Sequence, residues 1–379
     1  MKDKYRMKVA YLIGSLNRGG AETLLLDIFR KADKAPFEMM VIHRKGGMYE
    51  QEFMNLSPEC IKISPRRGRM LSYLHQLRKK IQTEKITVIH SYFWLDTIYA
   101  WLATIGINIP IVHTFHGYEG SEAGMFKGIR YQCIMRMAKM LCFVSAEQMQ
   151  QYERRYGSVV RKKGIVLYNG LNFDKFDVTR EGVNDFANDD RIRLCMVGNF
   201  NSVRSQMVVC KALQKLKDES GKMKEEKGEW DFYFVGSRYT GEEHYYYECV
   251  AFCQEHGLDH VHFLGVRNDV PAILESMDGF VYSSNNDTFG IAVIEAIAAG
   301  LPIVVNDHPV MREVCGEAND GIRYFKTNDA DEAAEAIVDM IENMADSKKA
   351  AEANAERVRM KYSIQQHIDT VNQIYLSLQ

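Results

Sequence analysis

Short apolar runs alternate along the chain with longer segments in which apolar residues recur every three or four positions. The short runs predict strands at 8–13, 38–43, 88–91, 111–114, 141–144, 164–167, 192–197, 231–235, 261–264, 279–282 and 303–306. Helices are predicted between them, for example at 21–32, 71–83, 126–138 and 146–156. Runs that are almost entirely apolar, such as 192–197, are typical of strands covered on both faces. This alternation predicts the α/β class with parallel sheets.

The length of 379 residues allows roughly two to three domains. One sheet of eleven strands is less favourable than two Rossmann-like parallel-sheet domains that face a cleft, where ligands bind. The polar stretch 172–190 lacks a helical stripe and predicts the boundary. We therefore expect an N-terminal domain at 1–175, a C-terminal domain at 190–360 and a last helix within 361–379.

Composition excludes disorder, collagen and coiled coil, because 46% of the residues are apolar and 26% are charged. The formal net charge of −2 conceals two halves of opposite sign. Through residue 180 there are 29 Lys and Arg against 16 Asp and Glu, and beyond it 19 against 34. The basic half indicates a polyanionic surface or ligand.

The cysteines and the apolar segments indicate where the protein works. Of the eight cysteines, only Cys249 and Cys253 are close in sequence, and no zinc-type spacing accompanies them. The apolar stretch 9–13 is too short for a signal peptide. Polar and proline residues interrupt the region 98–112, so it falls short of a membrane span of about 20 residues. We expect a cytoplasmic protein with at most peripheral contact with the inner face of the membrane.

Two glycine-containing strand ends in the first half are candidate ligand sites. Gly19 and Gly20 follow the first strand and open a helix, where backbone amides could approach an anion. His116 follows the strand 111–114, at the end where α/β folds bind ligands. A plain turn and a structural histidine are the competing interpretations.

The segment 283–304 carries the strongest chemical signal. Asp287 precedes a helix that opens with Phe289, Gly290 and Ile291, whose amides could bind phosphate. Glu295 interrupts an otherwise apolar helix, where a carboxylate is costly unless it pairs or binds hydroxyls. A ribose diol is one such partner. The structural alternative is a helix cap at Asp287 and an ion pair at Glu295.

Several motifs in this order resemble those of family-four retaining glycosyltransferases, also called glycosyl transferases group one, which have the GT-B fold. The resemblance spans almost the whole chain. It rests on the segments 19–22, 114–117, 169–172, 197–198 and 264–271 and on the carboxylate–seven residues–carboxylate signature that ends at Glu295. It implies an enzyme that moves a sugar from a nucleoside-diphosphate sugar, UDP-sugar being favoured, to a glycan or lipid-linked acceptor with retention of configuration. Cell-surface polysaccharide synthesis is the implied process.

The resemblance also implies site roles. Arg204, Asp287, Glu295 and His116 are the expected catalytic residues: Arg204 neutralises the leaving diphosphate, Asp287 and Glu295 bind sugar and ribose hydroxyls, and His116 lies near the transferred sugar. The expected donor-binding residues are Gly19, Gly20, Asn199, Arg238, Val266, Arg267, Phe289, Gly290 and Ile291, together with Glu295. No metal or other cofactor is expected, and the last helix should pack back on the N-terminal domain.

Two positions depart from the family pattern. The first carboxylate of the signature is usually Glu and is Asp287 here. The family commonly has Arg and Lys where this chain has Asn199 and Arg204, so one expected diphosphate cation is missing. Arg238 is the candidate replacement; the alternative is an atypical or weakened donor pocket.

A basic cluster in the first half is expected to face the acceptor or an anionic membrane. It comprises Arg66, Arg67, Arg69, Arg78, Lys79 and Lys80. A solvated face is the alternative, and nucleic-acid binding is disfavoured because no recognition motif accompanies the charge. Two other functions stay open: a GT-B nucleotide-sugar epimerase and a non-catalytic nucleotide-sugar-binding partner subunit.

Overall fold

The computed structural model describes residues 7–17, 19–57, 59–65, 67–117, 125–176, 186, 190–220 and 229–379. The chain forms two compact units. The first comprises Met1–Asn172 and Tyr362–Gln379, and the second comprises Phe173–Lys361. The residues from 173 onward therefore group with the second unit, earlier than the expected start of the C-terminal domain at 190.

The first unit is built on a seven-stranded parallel sheet in the order β3-β2-β1-β4-β5-β6-β7. Its strands are β1 Lys8–Ser15, β2 Glu38–Lys45, β3 Cys60–Lys62, β4 Val88–Ser91, β5 Ile111–Phe115, β6 Met140–Phe143 and β7 Gly164–Val166. Its helices are α1 Gly20–Arg30, α2 Glu50–Leu56, α3 Met70–Thr83, α4 Trp94–Ala103, α5 Met125–Met137, α6 Ala146–Tyr156 and α7 Ser158–Lys163, with a 3-10 turn at Ala32–Lys34.

The second unit has a six-stranded parallel sheet in the order β10-β9-β8-β11-β12-β13. Its strands are β8 Ile192–Val197, β9 Trp230–Val235, β10 Val261–Gly265, β11 Gly279–Tyr282, β12 Ile303–Asn306 and β13 Ile322–Phe325. A 3-10 turn at Phe173–Phe176 precedes the helices α8 Gln206–Ser220, α9 His244–Glu255, α10 Val270–Glu275, α11 Ile291–Ala298, α12 Pro309–Cys315, α13 Ala330–Glu342 and α14 Met344–Lys361.

The last helix, α15 Ile364–Leu376, belongs to the first unit although it ends the chain. Its buried stripe includes Ile368, Val371 and Tyr375, which join the core beneath β1 and α1. A short bridge to Leu171 precedes this helix: the Leu171 amide donates to the carbonyl of Tyr362 (2.8 Å), and its carbonyl accepts from the amide of Ile364 (2.9 Å). Hydrophobic burial thus fixes the end of the chain against its beginning.

The predicted α/β class with two parallel sheets is confirmed, and each predicted strand lies on an observed one. Two strands, β3 and β13, have no counterpart in the prediction. Both lie at sheet edges and are only partly buried, and a charged residue, Lys62 in β3 and Arg323 in β13, interrupts each short run. Within the described part of the chain, no helix is long and apolar enough to cross a membrane.

Candidate functional site

Each sheet has a point where the strand order reverses, and there the loops at the carboxyl ends of the strands diverge to form a ligand crevice. In the second unit this point lies between β8 and β11, which pair with each other while β9 and β12 lie on opposite sides. Arg204 lies in the loop after β8, and Asp287 lies in the loop after β11. The topology therefore brings together two expected site residues that are 83 positions apart.

Backbone hydrogen bonds join these two loops. The amide of Ser205 donates to the carbonyl of Ser283 (3.1 Å), and that of Asn285 donates to Val203 (2.8 Å). The side chain of Asn306, at the end of β12, accepts from the amide of Ser284 and donates to its carbonyl, both at 2.9 Å. The loops are thus tied to the neighbouring strand, which restricts the position of the Arg204 side chain.

Arg204 and Asp287 form an ion pair, with 2.9 Å between Nη1 and Oδ2. Nη1 also donates to Ser284 Oγ (3.0 Å), and the guanidinium carbon lies 5.2 Å from the centre of the Tyr282 ring. The Tyr282 hydroxyl donates to the same Asp287 oxygen (2.6 Å). Nε and Nη2 of Arg204 have no hydrogen-bond partner among the described residues. The cation is therefore anchored on one side and available on the other.

The second oxygen of Asp287 binds two backbone amides just before α11. Oδ1 accepts from the amides of Gly290 (3.2 Å) and Phe289 (3.4 Å). Gly290 has a left-handed φ of +78°, and a Cβ there would stand 2.8 Å from Met311 Cε, so a side chain would be strained and crowded. The amides of Phe289 and Gly290, expected to serve the donor diphosphate, are engaged by Asp287 in this structure. Asp287 therefore holds the loop that leads into α11, and the helix itself, which begins at Ile291, receives no side-chain cap.

The ionisation of the pair follows from its surroundings. Burial acts to raise the pKa of Asp287, but the charge of Arg204, the Tyr282 hydroxyl and the two amides together lower it below its ordinary value. Burial acts to lower the pKa of Arg204, and Tyr282 and Asp287 raise it. Both groups are therefore charged at neutral pH.

The remaining expected donor residues of the second unit follow the carboxyl ends of β8, β9 and β10 or lie at the start of α11. Ile291 begins α11, and Glu295 lies on its next turn, half-buried between buried neighbours. Asn199 accepts from both the amide (3.1 Å) and the hydroxyl (2.9 Å) of Ser237, so it joins the β8 and β9 loops instead of supplying a charge.

Arg238 is the expected replacement for the missing cation. It is exposed, and its Nη1 donates to the Tyr247 hydroxyl (2.8 Å). Arg267 pairs with Asp269 through Nε (2.8 Å) and Nη2 (2.5 Å), which lowers the pKa of Asp269. Val266 beside it is 63% exposed. Val266 is thus an exposed apolar residue next to this pair.

In the first unit, a carboxylate lies close to Gly19, in the loop between β1 and α1. Gly19 precedes α1, and a Cβ there would stand 2.4 Å from Glu22 Oε2. Burial raises the pKa of Glu22, while a hydrogen bond to its own backbone lowers it. The start of α1, with Gly20 as its first residue, thus already has an acidic side chain close to the amides expected to bind an anion.

His116 follows β5 and packs edge-on against Tyr92, with 4.5 Å between ring centres. Burial lowers its pKa to about 3, and a hydrogen bond to Asn169 acts in the opposite direction. The imidazole is therefore neutral at pH 7. It lies at the carboxyl edge of the first sheet, as expected from the sequence.

The basic cluster is only partly exposed. Arg67, Arg69 and Lys79 are exposed, whereas Arg78 donates to the carbonyls of Ala103 (2.9 Å) and Ile105 (2.8 Å) at the end of α4. Lys80 pairs with Glu84 at 2.6 Å. Arg66 lies outside the described residues. Half of this cluster therefore stabilises the fold or lies outside the description.

Sequence reasoning missed Tyr282, Ser284 and Asn306 in the second unit, and the pair Arg44–Asp96 in the first. Arg44 Nε donates to Asp96 Oδ1 at 2.6 Å, at the carboxyl edge of the first sheet. A polar residue directly after an apolar strand was the available signal at Arg44 and Ser284. In the part of the chain that the structure describes, no group of three or more His, Cys, Asp or Glu side chains could hold a metal ion.

Comparison with known proteins agrees with this architecture. The family model described as Glycosyltransferase Family 4 matches residues 18–175, and the one described as Glycosyl transferases group 1 matches residues 180–358. The chain therefore belongs to the glycosyltransferases of the GT-B type in family four. The two family models follow one another along one glycosyltransferase chain and together match most of it.

Individual relatives are distant. EpsF of Bacillus subtilis, named as a glycosyltransferase, is 21% identical over 330 residues, which are 79% of each chain. The N,N'-diacetylbacillosaminyl-diphospho-undecaprenol alpha-1,3-N-acetylgalactosaminyltransferase of Campylobacter jejuni is 37% identical over 83 residues, 22% of each chain. Anabaena HepE, crystallised with UDP and glucose, has a TM-score of 0.79 at 16% identity and covers 98% of this chain and 100% of its own.

Proposed function

We propose that this glycosyltransferase moves a hexose from a UDP-sugar to a glycan or lipid-linked acceptor, with retention of configuration, in cell-surface polysaccharide synthesis. The observation that carries the proposal is the Arg204–Asp287 pair at the point where the strand order of the second sheet reverses. Two similar proteins support the proposed donor and acceptor classes. HepE was crystallised with UDP, and the Campylobacter jejuni enzyme is named for a diphospho-undecaprenol acceptor.

Arg204 is the proposed stabiliser of the departing diphosphate. Its Nη1 is held by Asp287 and Ser284, which leaves Nε and Nη2 to donate to phosphate oxygens. A guanidinium that is already oriented stabilises developing negative charge without reorganisation at the moment of reaction. Gly198 allows this placement, because a Cβ there would stand only 3.3 Å from Arg204 Nε.

Asp287 acts in this proposal as a positioning residue for Arg204, in addition to the sugar contact expected from the family. Both of its oxygens already accept hydrogen bonds, from Arg204 and Tyr282 on one side and from two amides on the other. A carboxylate oxygen accepts more than one hydrogen bond, so a sugar hydroxyl can still be added. The shorter Asp side chain keeps the carboxylate close to the helix start.

Glu295 is proposed to bind the ribose hydroxyls, Val266 and Arg267 to meet the base, and neutral His116 to hold a hydroxyl of the transferred sugar. Departure of the diphosphate and attack by the acceptor on the same face is the proposed course of retention. No metal is assigned a role in this scheme, because Arg204 and helix-start amides supply the positive potential.

A thermal-shift screen tests the donor class. Binding to the native state alone raises its stability, by about 2.7 kcal/mol at a ligand concentration of 100 Kd. We expect UDP-glucose and UDP to raise the melting temperature more than GDP- and ADP-sugars do. A larger shift with a GDP- or ADP-sugar would replace UDP in the proposal, and no shift with any of them would favour a site unlike that of a donor-using transferase.

Arg204→Lys tests the catalytic assignment with the charge retained. We expect a loss of tenfold or more in turnover of the donor, because a point charge replaces the guanidinium fork that Asp287 orients. Lys211→Ala, a charge removal at an exposed position of α8, is the matched control and should leave turnover unchanged. Equal turnover in Arg204→Lys and the parent enzyme would contradict the assignment.

Glu295→Gln tests the ribose contact. The amide keeps the size of the side chain but loses the charge, so we expect weaker UDP binding with an unchanged fold. Undiminished transfer and binding in a folded variant would show that Glu295 is not part of the donor site.

Membrane contact is proposed for the exposed part of the basic cluster. Arg67 and Arg69 directly precede α3, whose first residues Met70 and Leu71 are 40% and 83% exposed. A basic residue near an anionic surface contributes about 1 kcal/mol, and exposed apolar side chains add to it. Salt-sensitive sedimentation with anionic vesicles is expected. Binding to neutral vesicles to the same extent, or to neither, would overturn this part of the proposal.

An epimerase remains the second candidate activity, and a non-catalytic partner subunit the third. Asn199 favours the latter, because it holds Ser237 where the family commonly has a diphosphate cation. Release of UDP from UDP-glucose with an inverted or free sugar product, and without acceptor dependence, would identify an epimerase or hydrolase. Nucleotide-sugar binding without any turnover would identify a partner subunit.

A further inference from the structure

A second polar cluster lies at the carboxyl edge of the first sheet, where its strand order reverses between β1 and β4. Arg44 is the penultimate residue of β2, Gly14 that of β1, and Asp96 lies in the first turn of α4, directly after β4. This is the region where an α/β sheet binds ligands. None of these three residues belongs to the family motifs or to the donor site.

Asp96 holds the guanidinium of Arg44 by one edge. Arg44 Nε and Asp96 Oδ1 are 2.6 Å apart, and the Arg44 side chain is 15% exposed. The Arg44 guanidinium carbon also lies 5.7 Å from the centre of the Tyr99 ring. Neither Nη1 nor Nη2 of Arg44 has a hydrogen-bond partner among the described residues, and neither is fully buried. Arg44 thus keeps the two terminal nitrogens that form the fork for a phosphate or carboxylate.

The cluster is costly for the fold alone. Asp96 is 1% exposed, and its Oδ2 is buried without a hydrogen-bond partner in the described chain. Burying an ion pair loses more solvation than the pair regains unless its remaining polar atoms are satisfied. Native proteins leave few such atoms unpaired. This carboxylate oxygen can only accept, so its partner would be a water or a hydroxyl, and an anion would contact the guanidinium instead.

Gly14 leaves the space in front of this guanidinium open. A Cβ at residue 14 would stand 2.8 Å from Arg44 Nη2. Gly14 is not in the left-handed region, so its backbone does not require glycine. The close approach is therefore what distinguishes glycine here, because any side chain would displace the fork.

We propose that Arg44, held by Asp96, binds an anionic group of the acceptor, with phosphate as the favoured class. The inference rests on the proposed function, because it names the acceptor chemistry of that transferase. Asp96 neutralises the buried part of the guanidinium and leaves its donors directed outward, which suits a ligand that brings its own negative charge. Exposed Lys45 follows Arg44 directly, and Arg67 and Arg69 add to the positive potential of this unit.

Calorimetric titration with geranyl diphosphate, geraniol and geranic acid tests the proposal. Saturating UDP is present throughout, so that the diphosphate cannot occupy the donor site. We expect geranyl diphosphate to bind at least tenfold more tightly than geraniol, with geranic acid between them. Equal binding of geraniol and geranyl diphosphate would assign the site to neutral or apolar acceptors and overturn the proposal, as would no binding of geranyl diphosphate.

Two variants localise the effect. Arg44→Ala should weaken the binding of geranyl diphosphate at least tenfold. Gly14→Ala keeps the charges of Arg44 and Asp96, and it should weaken this binding several-fold by displacing the Arg44 guanidinium. Lys34→Ala removes a positive charge at an exposed position of the 3-10 turn in the same unit, and it should leave the affinity for geranyl diphosphate unchanged. Unchanged affinity in a folded Arg44→Ala, or in Gly14→Ala where Arg44→Ala does not fold, would overturn the proposal.

The same variants separate this inference from the donor assignment. UDP-dependent thermal shifts should be identical in Arg44→Ala, Gly14→Ala and the parent protein. Arg44-dependent binding of geranyl diphosphate in a protein that binds no nucleotide-sugar would refute the proposed transferase and leave the anion site. Donor binding with no Arg44-dependent effect would refute the anion site alone.

Discussion

The two sheets share one architecture and each has an ion pair at its carboxyl edge, Arg44–Asp96 and Arg204–Asp287, but the first unit also contains a network of buried neutral side chains. In that network, histidines, tyrosines and threonines form hydrogen bonds; His90 joins Tyr375 (2.5 Å) and Thr114 (2.7 Å), and His113 joins Thr97 (2.8 Å). In the second unit, the ion pair itself is extended by Tyr282 and Ser284. Neutral networks rigidify a core without a net charge, whereas an oriented ion pair creates a local field for an anionic ligand.

This difference also explains how an acidic half of the chain can bind an anionic donor. The net charge beyond residue 180 is unfavourable for a diphosphate. The charge that matters is local, because screening in salt limits exposed charges to within about 10 Å. The partly buried Arg204 is screened less than those exposed carboxylates.

The largest expected contrast is the response to acid. Burial lowers the pKa of His113 to about 3 and that of His367 to about 4, and it lowers the pKa of His90 well below its ordinary value. The unfolded chain binds protons below pH 6.5 while the folded unit does not, so stability is full above that value and falls as the pH drops toward 4. Each fully buried histidine costs about 2 kcal/mol by pH 5.

Hydrogen exchange at pH 7.5 and pH 5 measures this contrast, with strands of the second sheet as internal controls. In the second unit, the lowered pKa of Asp287 keeps its ion pair charged at pH 5. We expect protection to fall by several kcal/mol in β4 and β5 and much less in β11 and β12. Equal losses of protection in both sheets would contradict the expected difference in their response to acid.

Asp287→Ala should produce the next largest effect. It leaves the partly buried Arg204 guanidinium without its partner and removes the acceptor of two loop amides, so we expect a loss of about 3–5 kcal/mol in the free energy of unfolding. Asp329→Ala removes an acidic cap at the start of α13, where Asp329 accepts from two amides but pairs with no buried cation. That control should cost about 1 kcal/mol. Urea denaturation compares them, and similar losses would mean that the ion pair adds little.

Tyr282→Phe sharpens the comparison with a single hydroxyl. The Tyr282 hydroxyl donates to a charged carboxylate at 2.6 Å, and the side chain is fully buried. A hydrogen bond to a charged group contributes about 1.5–3 kcal/mol. We expect a loss in that range, together with weaker UDP binding because Asp287 would orient Arg204 less well. A variant of unchanged stability and unchanged UDP affinity would refute both effects.

Tyr375→Phe is the matched change in the first unit and the smallest expected effect. The Tyr375 hydroxyl bonds to His90 and donates to Tyr11 (3.1 Å), all within a buried neutral network. Neutral hydrogen bonds contribute about 0.5–1.5 kcal/mol. Thermal denaturation should place its loss below that of Tyr282→Phe. The reverse order would show that the neutral network is the stronger of the two.

Much of the fold follows from local pattern. The apolar runs predicted every interior strand of both sheets, because a strand covered on both faces is mostly apolar. They also predicted the edge strands β7 and β10 but missed the edge strands β3 and β13, which contain Lys62 and Arg323.

Sequence reasoning named Arg204 and Asp287 as candidates but did not predict their contact. Arg204 and Asp287 were assigned separate roles, whereas the structure joins them at 2.9 Å. Arg78 and Lys80 were assigned to a surface, but one binds carbonyls at the end of α4 and the other pairs with Glu84. The sequence does not distinguish an exposed basic side chain from one bound to a neighbouring carbonyl or carboxylate, because that depends on tertiary contacts.

The sequence by itself determined the strand–helix alternation, the family motifs and the opposite charge of the two halves, because each depends on residue type and spacing along the chain. Only the tertiary structure decided that Asp287 orients Arg204 across 83 positions, that Tyr282 completes that pair, and that Arg44 meets Asp96 across 52. The reason is physical: parallel strands bring their carboxyl ends to one edge regardless of sequence distance, and a polar side chain acquires its charge state and its role from what it meets there.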